Sequence, residues 1–431
     1  MSRFQLIVYG SIGVIVLGLL LVLTGVIPGL KNTGPAPFTL TVWGIGDDAL
    51  AWQRLGDTYQ KTVLEAATIR YVRKNPASYE AELVNALASG QSPDIFVLED
   101  AWLEKHRDKI KPLPSGRAGY LRETLKTAFP DSISSAIVTD KGELLGTPLV
   151  FDTLALFYNR DYLNSANFPN PPQTWGELLE QLKILTTYTE GGTIKRSGIA
   201  LGTASNVQNA ADILLLLMYQ SGGRAIETAK RESAIQSPAT ESALTFYTSF
   251  SNPTARTYSW NGAFPLSLEA FAKGDAAMVI GYARDAKRIQ ALNPQLNFDT
   301  APIPQLDAAE DANRVNYGRF SIFAVSRLSK NVEESWKFLV WLQGREPQKT
   351  YSDAVELPPA RRELAVSQPP REQLVPFYRQ ILSARILPAA GGGRLTGIIN
   401  AMIGAAVNRQ LTVSQAISRA DQEFNELLRK R

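Results

Sequence analysis

GTPLVFDTLALFYNRDYLNSANFPNPPQTW, residues 146–175, begins with an apolar, β-branched and aromatic run at 149–158 that only Asp152 and Thr153 interrupt. A run of that length fits a buried strand and is short for a helix. A carboxylate inside such a strand is costly unless something hydrogen-bonds it, so Asp152 is expected to face a cleft or a structural partner. Asn159-Arg160-Asp161 comes next, followed by a loop rich in proline (Pro169, Pro171, Pro172). Thr174-Trp175-Gly176-Glu177 then reads as a capping box that opens a helix. The strand is expected to cross between two lobes, with Asp152 at the crossing.

The chain has 431 residues, more than one ordinary core accommodates, so two lobes are expected. Its 45% hydrophobic and 20% charged content is that of a folded globular protein. The net charge of +4 is spread along the sequence without a basic stripe, so no nucleic-acid partner is expected. The basic end, Arg429-Lys430-Arg431, reads as a solvated tail. There is no cysteine, which removes disulfides, thiolate metal sites and cysteine nucleophiles together. The single histidine, His106, lies in Glu104-Lys105-His106-Arg107-Asp108 and is expected on a solvated helix face, which leaves no residue for a Ser-His-Asp triad. No cofactor or metal is expected.

Residues 6–27 carry no charge and are long enough to span a bilayer. The run ends in Ile27-Pro28-Gly29 without a small-residue cleavage site, so residues 1–30 read as an uncleaved single-pass anchor and 31–37 as a linker.

Beyond the linker, residues 38–43 alternate as a strand that ends in Gly44-Ile45-Gly46-Asp47-Asp48. Leu50, Trp52, Leu55 and Tyr59 recur near helical spacing, and Asp47 or Asp48 can cap that helix. The third glycine of a dinucleotide fingerprint is missing. A strand at 69–72, an amphipathic helix at 79–88 and a strand at 93–98 then imply a parallel α/β sheet. Ligands of such sheets sit beyond the carboxyl ends of the strands, which places Asp47, Asp48, Glu99 and Asp100 on one rim. Each of the four also suits a helix cap.

The second lobe is expected to begin near Thr153, with a helix at 174–185, a strand at 199–202 and a strongly apolar helix at 213–219. The polar start of that helix, with Asn206, offers either amides to a hydroxyl-bearing ligand or a simple cap. Ser237-Pro238 opens another helix. Residues 267–281 read as helix, Gly274 cap and buried strand, with Tyr282 and Arg284 on the turn after it. Trp260 lies in a polar Tyr-Ser-Trp-Asn-Gly turn, as a stacking platform or as a lid over local core. Arg319 stands between Gly318 and Phe320, a charge inside a strand pattern at 316–326.

These residues together resemble the extracellular solute-binding proteins of ABC importers, in the branch with maltose- and other sugar-binding proteins. The matching pieces are LTVWGIGDD at 40–48, LASGQSPDIF at 87–96, GTPLVFDTLALFYNRDYL at 146–163, PPQTWGELLE at 171–180, FAKGDAAMVIGY at 271–282 and PPARREL at 358–364. The resemblance runs from about residue 38 to the end. It implies an α/β, two-lobed periplasmic-binding-protein fold of type II behind a transmembrane helix. Residues 38–150 with about 320–371 would form lobe I, and 151–319 with about 372–431 lobe II. It also implies a carbohydrate-like solute that is closed between the lobes and handed to an ABC permease, with the body outside the cytoplasm.

The resemblance implies ligand contacts for Asp47, Asp48, Asp152 and Tyr282; with Asp100, Asn206, Trp260 and Arg319, singled out above from their own surroundings in the sequence, they are the expected ligand-binding residues. Leu98 and residues 398–399 replace aromatic platforms of maltose binders, which argues against a maltodextrin. A sensor or structural module that binds a partner protein is the alternative. A hydrolase would need paired carboxylates such as Asp100 and Asp152 at a suitable separation.

Overall fold

The computed structural model describes residues 36–46, 49–227, 229–306, 314–387 and 393–429, together with Val16. The expected anchor, Asp47 and Asp48 lie outside the described residues. Among the described residues no helix is long and apolar enough to cross a membrane.

The strands are β1 (Phe38–Gly44), β2 (Ala67–Arg73), β3 (Ile95–Glu99), β4 (Thr147–Asn159), β5 (Thr187–Tyr188), β6 (Ile194–Arg196), β7 (Ile226–Glu227) and β8 (Glu232–Ser233). They continue with β9 (Met278–Tyr282), β10 (Phe298–Ala301), β11 (Asn316–Val325) and β12 (Ala384–Arg385). Eight of them form one sheet, ordered β10-β4-β11-β3-β1-β2, with β9 on β4 and β12 on β11. β1 pairs parallel with β2 and β3, as the strand–helix–strand reading required. The expected strand at 199–202 does not form, although Ile199, Ala200 and Leu201 are fully buried.

Two long strands organise this sheet. Every residue of β4 except Tyr158 is buried, so the strand reads as a continuous apolar run because both its faces are covered. Its first half pairs with β11, and its second half with β9 and β10. The core divides along it. Leu149, Val150 and Phe151 belong to one hydrophobic cluster, and Leu154 to Phe157 to another. On β11 the same division falls between Tyr317 and Phe320. Asp152 and Thr153, both fully buried, lie between the clusters on β4, with Arg319 and Gly318 opposite them on β11.

Gly318 is needed there, because a Cβ at this position would run into the ring of Phe151 and its neighbours. A third pass of the chain lies between Ala365, in the first cluster, and Leu374, in the second.

Local signals mostly act as expected. The Thr174 hydroxyl accepts from the Glu177 N–H at 3.2 Å to start the helix Trp175–Leu185. Ser237 caps Pro238–Ser249, and Gly274 closes Ser267–Lys273 at φ +86°. His106 is a correction. It is 2% exposed, and its Nε2 sits 2.7 Å from Glu80. Burial lowers its pKa, while the Glu80 carboxylate pulls it back up. The polar residues flanking it hid a side chain that turns inward.

Candidate ligand-binding site

Five charged or polar side chains at the core division form one connected group. Arg319, on β11, grips Asp212 with a fork: Nε donates to Oδ2 at 3.1 Å and Nη2 to Oδ1 at 2.6 Å. Its Nη1 reaches Asp100 Oδ1 at 3.4 Å, and Nη2 also donates to the Thr396 hydroxyl at 3.3 Å. Asp100 begins the short turn after β3, on the side of the first core. Asp212 lies in the first turn of the helix Ala210–Gln220, in the second, where the helix dipole favours a negative charge. Tyr282 donates its hydroxyl to Asp212 Oδ2 at 2.7 Å. Arg319 therefore ties the two sides together through two carboxylates.

The group is short of partners at two atoms. Asp100 Oδ2 and the Tyr317 hydroxyl are buried without a hydrogen-bond partner among the described residues. Burial pushes the Asp100 carboxyl up to about 6; Arg319 pulls it down, and Asp212 and Glu99 push it further up. Tyr282 and Tyr317 are raised well above the usual phenol range, again chiefly by burial.

Asp152 faces Arg319 across the β4–β11 pair but bonds elsewhere. Its Oδ1 accepts from the Ala283 N–H at 2.8 Å, and its Oδ2 from Arg284 Nε at 2.9 Å. The carboxylate thus sits on the N-terminus of the helix Ala283–Leu292, a favourable end for an anion. Of the two expectations for a charge in this strand, the structural partner is the one present.

Trp260 and Asn206 meet each other, apart from that group. Trp260 is fully buried, stacks on Phe264 at 4.4 Å and donates its indole N–H to Asn206 Oδ1 at 2.9 Å. It is a lid over local core. Asn206 also accepts from the Thr203 hydroxyl and donates to the carbonyls of Asn261 and Phe264 at 3.0 and 2.9 Å, so its amide is fully engaged. Asn209, at φ +61°, is the residue before the following helix.

Asp212 was missed from the sequence. The signal was present: a lone acid opening the apolar run ADILLLLMY has the same oddity that marked Asp152 and Arg319.

A second feature is a groove of about 810 Å³, with Leu103, Glu104, Arg107 and the helix Asp131–Ile137 on one side and residues 219–226, Arg231 and β12 on the other. None of the expected site residues among the described ones lines it. Among the described residues no group of three or more His, Cys, Asp or Glu is placed to hold a metal ion.

Residues 55–372 match the family model of the bacterial extracellular solute-binding proteins. A binding protein of Brucella abortus is 25% identical over 269 residues, covering 61% of each chain. The maltotriose-binding protein of Pyrococcus abyssi is 23% identical over 283 residues, 63% of this chain and 55% of that one. The chain therefore spans about 61% of the length of the Brucella relative and less of the archaeal one. Among solved structures, the cyclic α-maltosyl-1,6-maltose binding protein of Arthrobacter globiformis superposes with a TM-score of 0.75 at 20% identity, covering 92% of this chain and 100% of that one. The sugar-binding protein of Xanthomonas citri gives 0.74 at 19% identity, with 91% and 98% covered. A mixed α/β sheet whose long strands pass between two cores is thus the two-lobed fold of these structures, and the chain belongs to the family of bacterial extracellular solute-binding proteins.

Proposed function

We propose that this protein captures a carbohydrate-like solute between its two lobes, outside the cytoplasm, and delivers it to an ABC permease, held at the membrane by residues 6–27. Lobe I would take residues 38–150 and about 320–371, and lobe II the remainder of the body. The observation that carries this reading is the Asp100–Arg319–Asp212 bridge, at 3.4 and 2.6 Å, which spans the two cores at the strands that join them. The sugar-binding proteins of similar fold support the solute class.

Carboxylates and a guanidinium suit a ring of hydroxyls, since each can accept or donate where a sugar does the reverse. A polar group left unmatched in a shut cleft costs about 1–3 kcal/mol, which makes matching the source of specificity. Closure follows as a population shift: a solute that touches both lobes favours the closed form by its differential affinity alone. Asp47, Asp48, Asp100, Tyr282 and Arg319 remain the proposed contacts, while Asp152, whose two oxygens are held by Ala283 and Arg284, braces the strand on which they converge. Asp212 joins them, whereas Asn206 and Trp260 act by shaping the wall.

The test is a thermal-shift and calorimetric screen of mono- and oligosaccharides, repeated with Asp212→Asn. At least one sugar is expected to raise the melting temperature, with the response lost in the variant. A screen without any response would remove the carbohydrate reading, and an unchanged response in the variant would remove Asp212 from the site.

A further inference from the structure

Among the described residues, none assigned a role so far lines the groove of about 810 Å³. That volume lies within the range of small-molecule sites, which are typically apolar with a few converging polar groups. Leu145, Tyr219 and Ile226 supply apolar surface here, and the charges are sorted by wall. Among the described residues, the first wall brings Glu104, Asp131 and Asp140 with a single arginine, Arg107, whereas the other brings Arg224, Arg231 and Arg385 and no acid.

Several of these charges are already matched. Glu104 pairs with Arg107 at 3.5 Å, Asp131 with Arg362 at 2.5 Å and Arg224 with Glu227 at 3.7 Å. The side chains of Asp140, Arg231 and Arg385 have no hydrogen-bond or ion-pair partner among the described residues. One carboxylate and two guanidiniums therefore stand free on opposite sides of an apolar space. Arg231 is also held at φ +55°, a left-handed conformation that costs a non-glycine residue about 1 kcal/mol.

We propose that this groove is a second binding site, which takes a small zwitterion with an apolar body, such as a short peptide with free termini. Its carboxylate meets Arg231 and Arg385, its ammonium meets Asp140, and its side chains lie on Leu145, Tyr219 and Ile226. A neutral sugar leaves all three charges unused. Exposed ion pairs are individually weak, so affinity comes from the apolar contact and selectivity from needing both ends at once. This site is independent of the solute taken at the Arg319 junction.

The experiment is isothermal calorimetry of the full chain with trileucine, N-acetyl-trileucine and trileucine amide at low salt, repeated with Asp140→Lys and Arg385→Glu. Trileucine is expected to bind saturably. Either cap, or either substitution, is expected to weaken it about threefold to fivefold, the size of one exposed ion pair. Unchanged melting temperatures would show that the surface variants still fold. Absence of saturable binding by trileucine, or equal binding of the three peptides, overturns the proposal. Loss of peptide binding with sugar responses intact would leave the carbohydrate reading untouched.

Discussion

At the Arg319 junction every guanidinium nitrogen of that residue has a hydrogen-bond partner, and the side chain is 17% exposed. In the groove, Arg231 and Arg385 are exposed and their side chains have no partner among the described residues. Both regions lie between the same two cores and both combine arginines with aspartates. The difference is burial. A charge removed from water must find a partner or lose stability, so the junction's charges are tied to one another, with only Asp100 Oδ2 and the Tyr317 hydroxyl left open among the described residues. A charge in an open groove keeps its water and stays available to a ligand.

Three substitutions probe that contrast. Arg319→Ala would leave Asp100 and Asp212 buried with no cation between them, and is expected to cost about 3–5 kcal/mol in urea unfolding. A loss below about 1 kcal/mol would mean that the junction is as open to water as the groove.

Asp100→Asn tests the raised carboxyl. The folded value of about 6 lies above the unfolded reference of 3.8. The contribution of Asp100 is therefore fully present below pH 4 and is lost as pH rises through 6. A tenfold difference in proton affinity between the folded and unfolded chain corresponds to ~1.4 kcal/mol, so wild type should lose roughly 3 kcal/mol relative to the asparagine variant between pH 3.5 and 7. Parallel stability curves for the two proteins would refute this.

Arg385→Glu in the groove is expected to change unfolding stability by less than about 0.5 kcal/mol, as for a surface substitution without partners. A larger loss would place Arg385 in a network like that of Arg319.

Much of the fold was legible locally. The run at 149–158 became the middle of β4, and the Thr174, Ser237 and Gly274 signals started or ended helices as read. The site was less legible. Charges inside apolar patterns, Asp152 and Arg319, marked the junction, yet the pattern could not say that Asp152 would bond to Ala283 and Arg284 instead of the arginine opposite it. His106 misled because its polar neighbours suggested exposure, while its side chain turns into the core; for Trp260 the local pattern left a platform and a lid open, and the structure has the lid.

Periodicity, caps and isolated charges act over a few residues, so the amino-acid sequence by itself determined most of the elements, the α/β class and the long strand that passes between the two cores. Partner choice is a long-range matter: Arg319 reaches Asp212 across 107 positions and Asp100 across 219. Only the tertiary structure decided which charges were buried together and which were left in the groove, because desolvation depends on everything packed around a group.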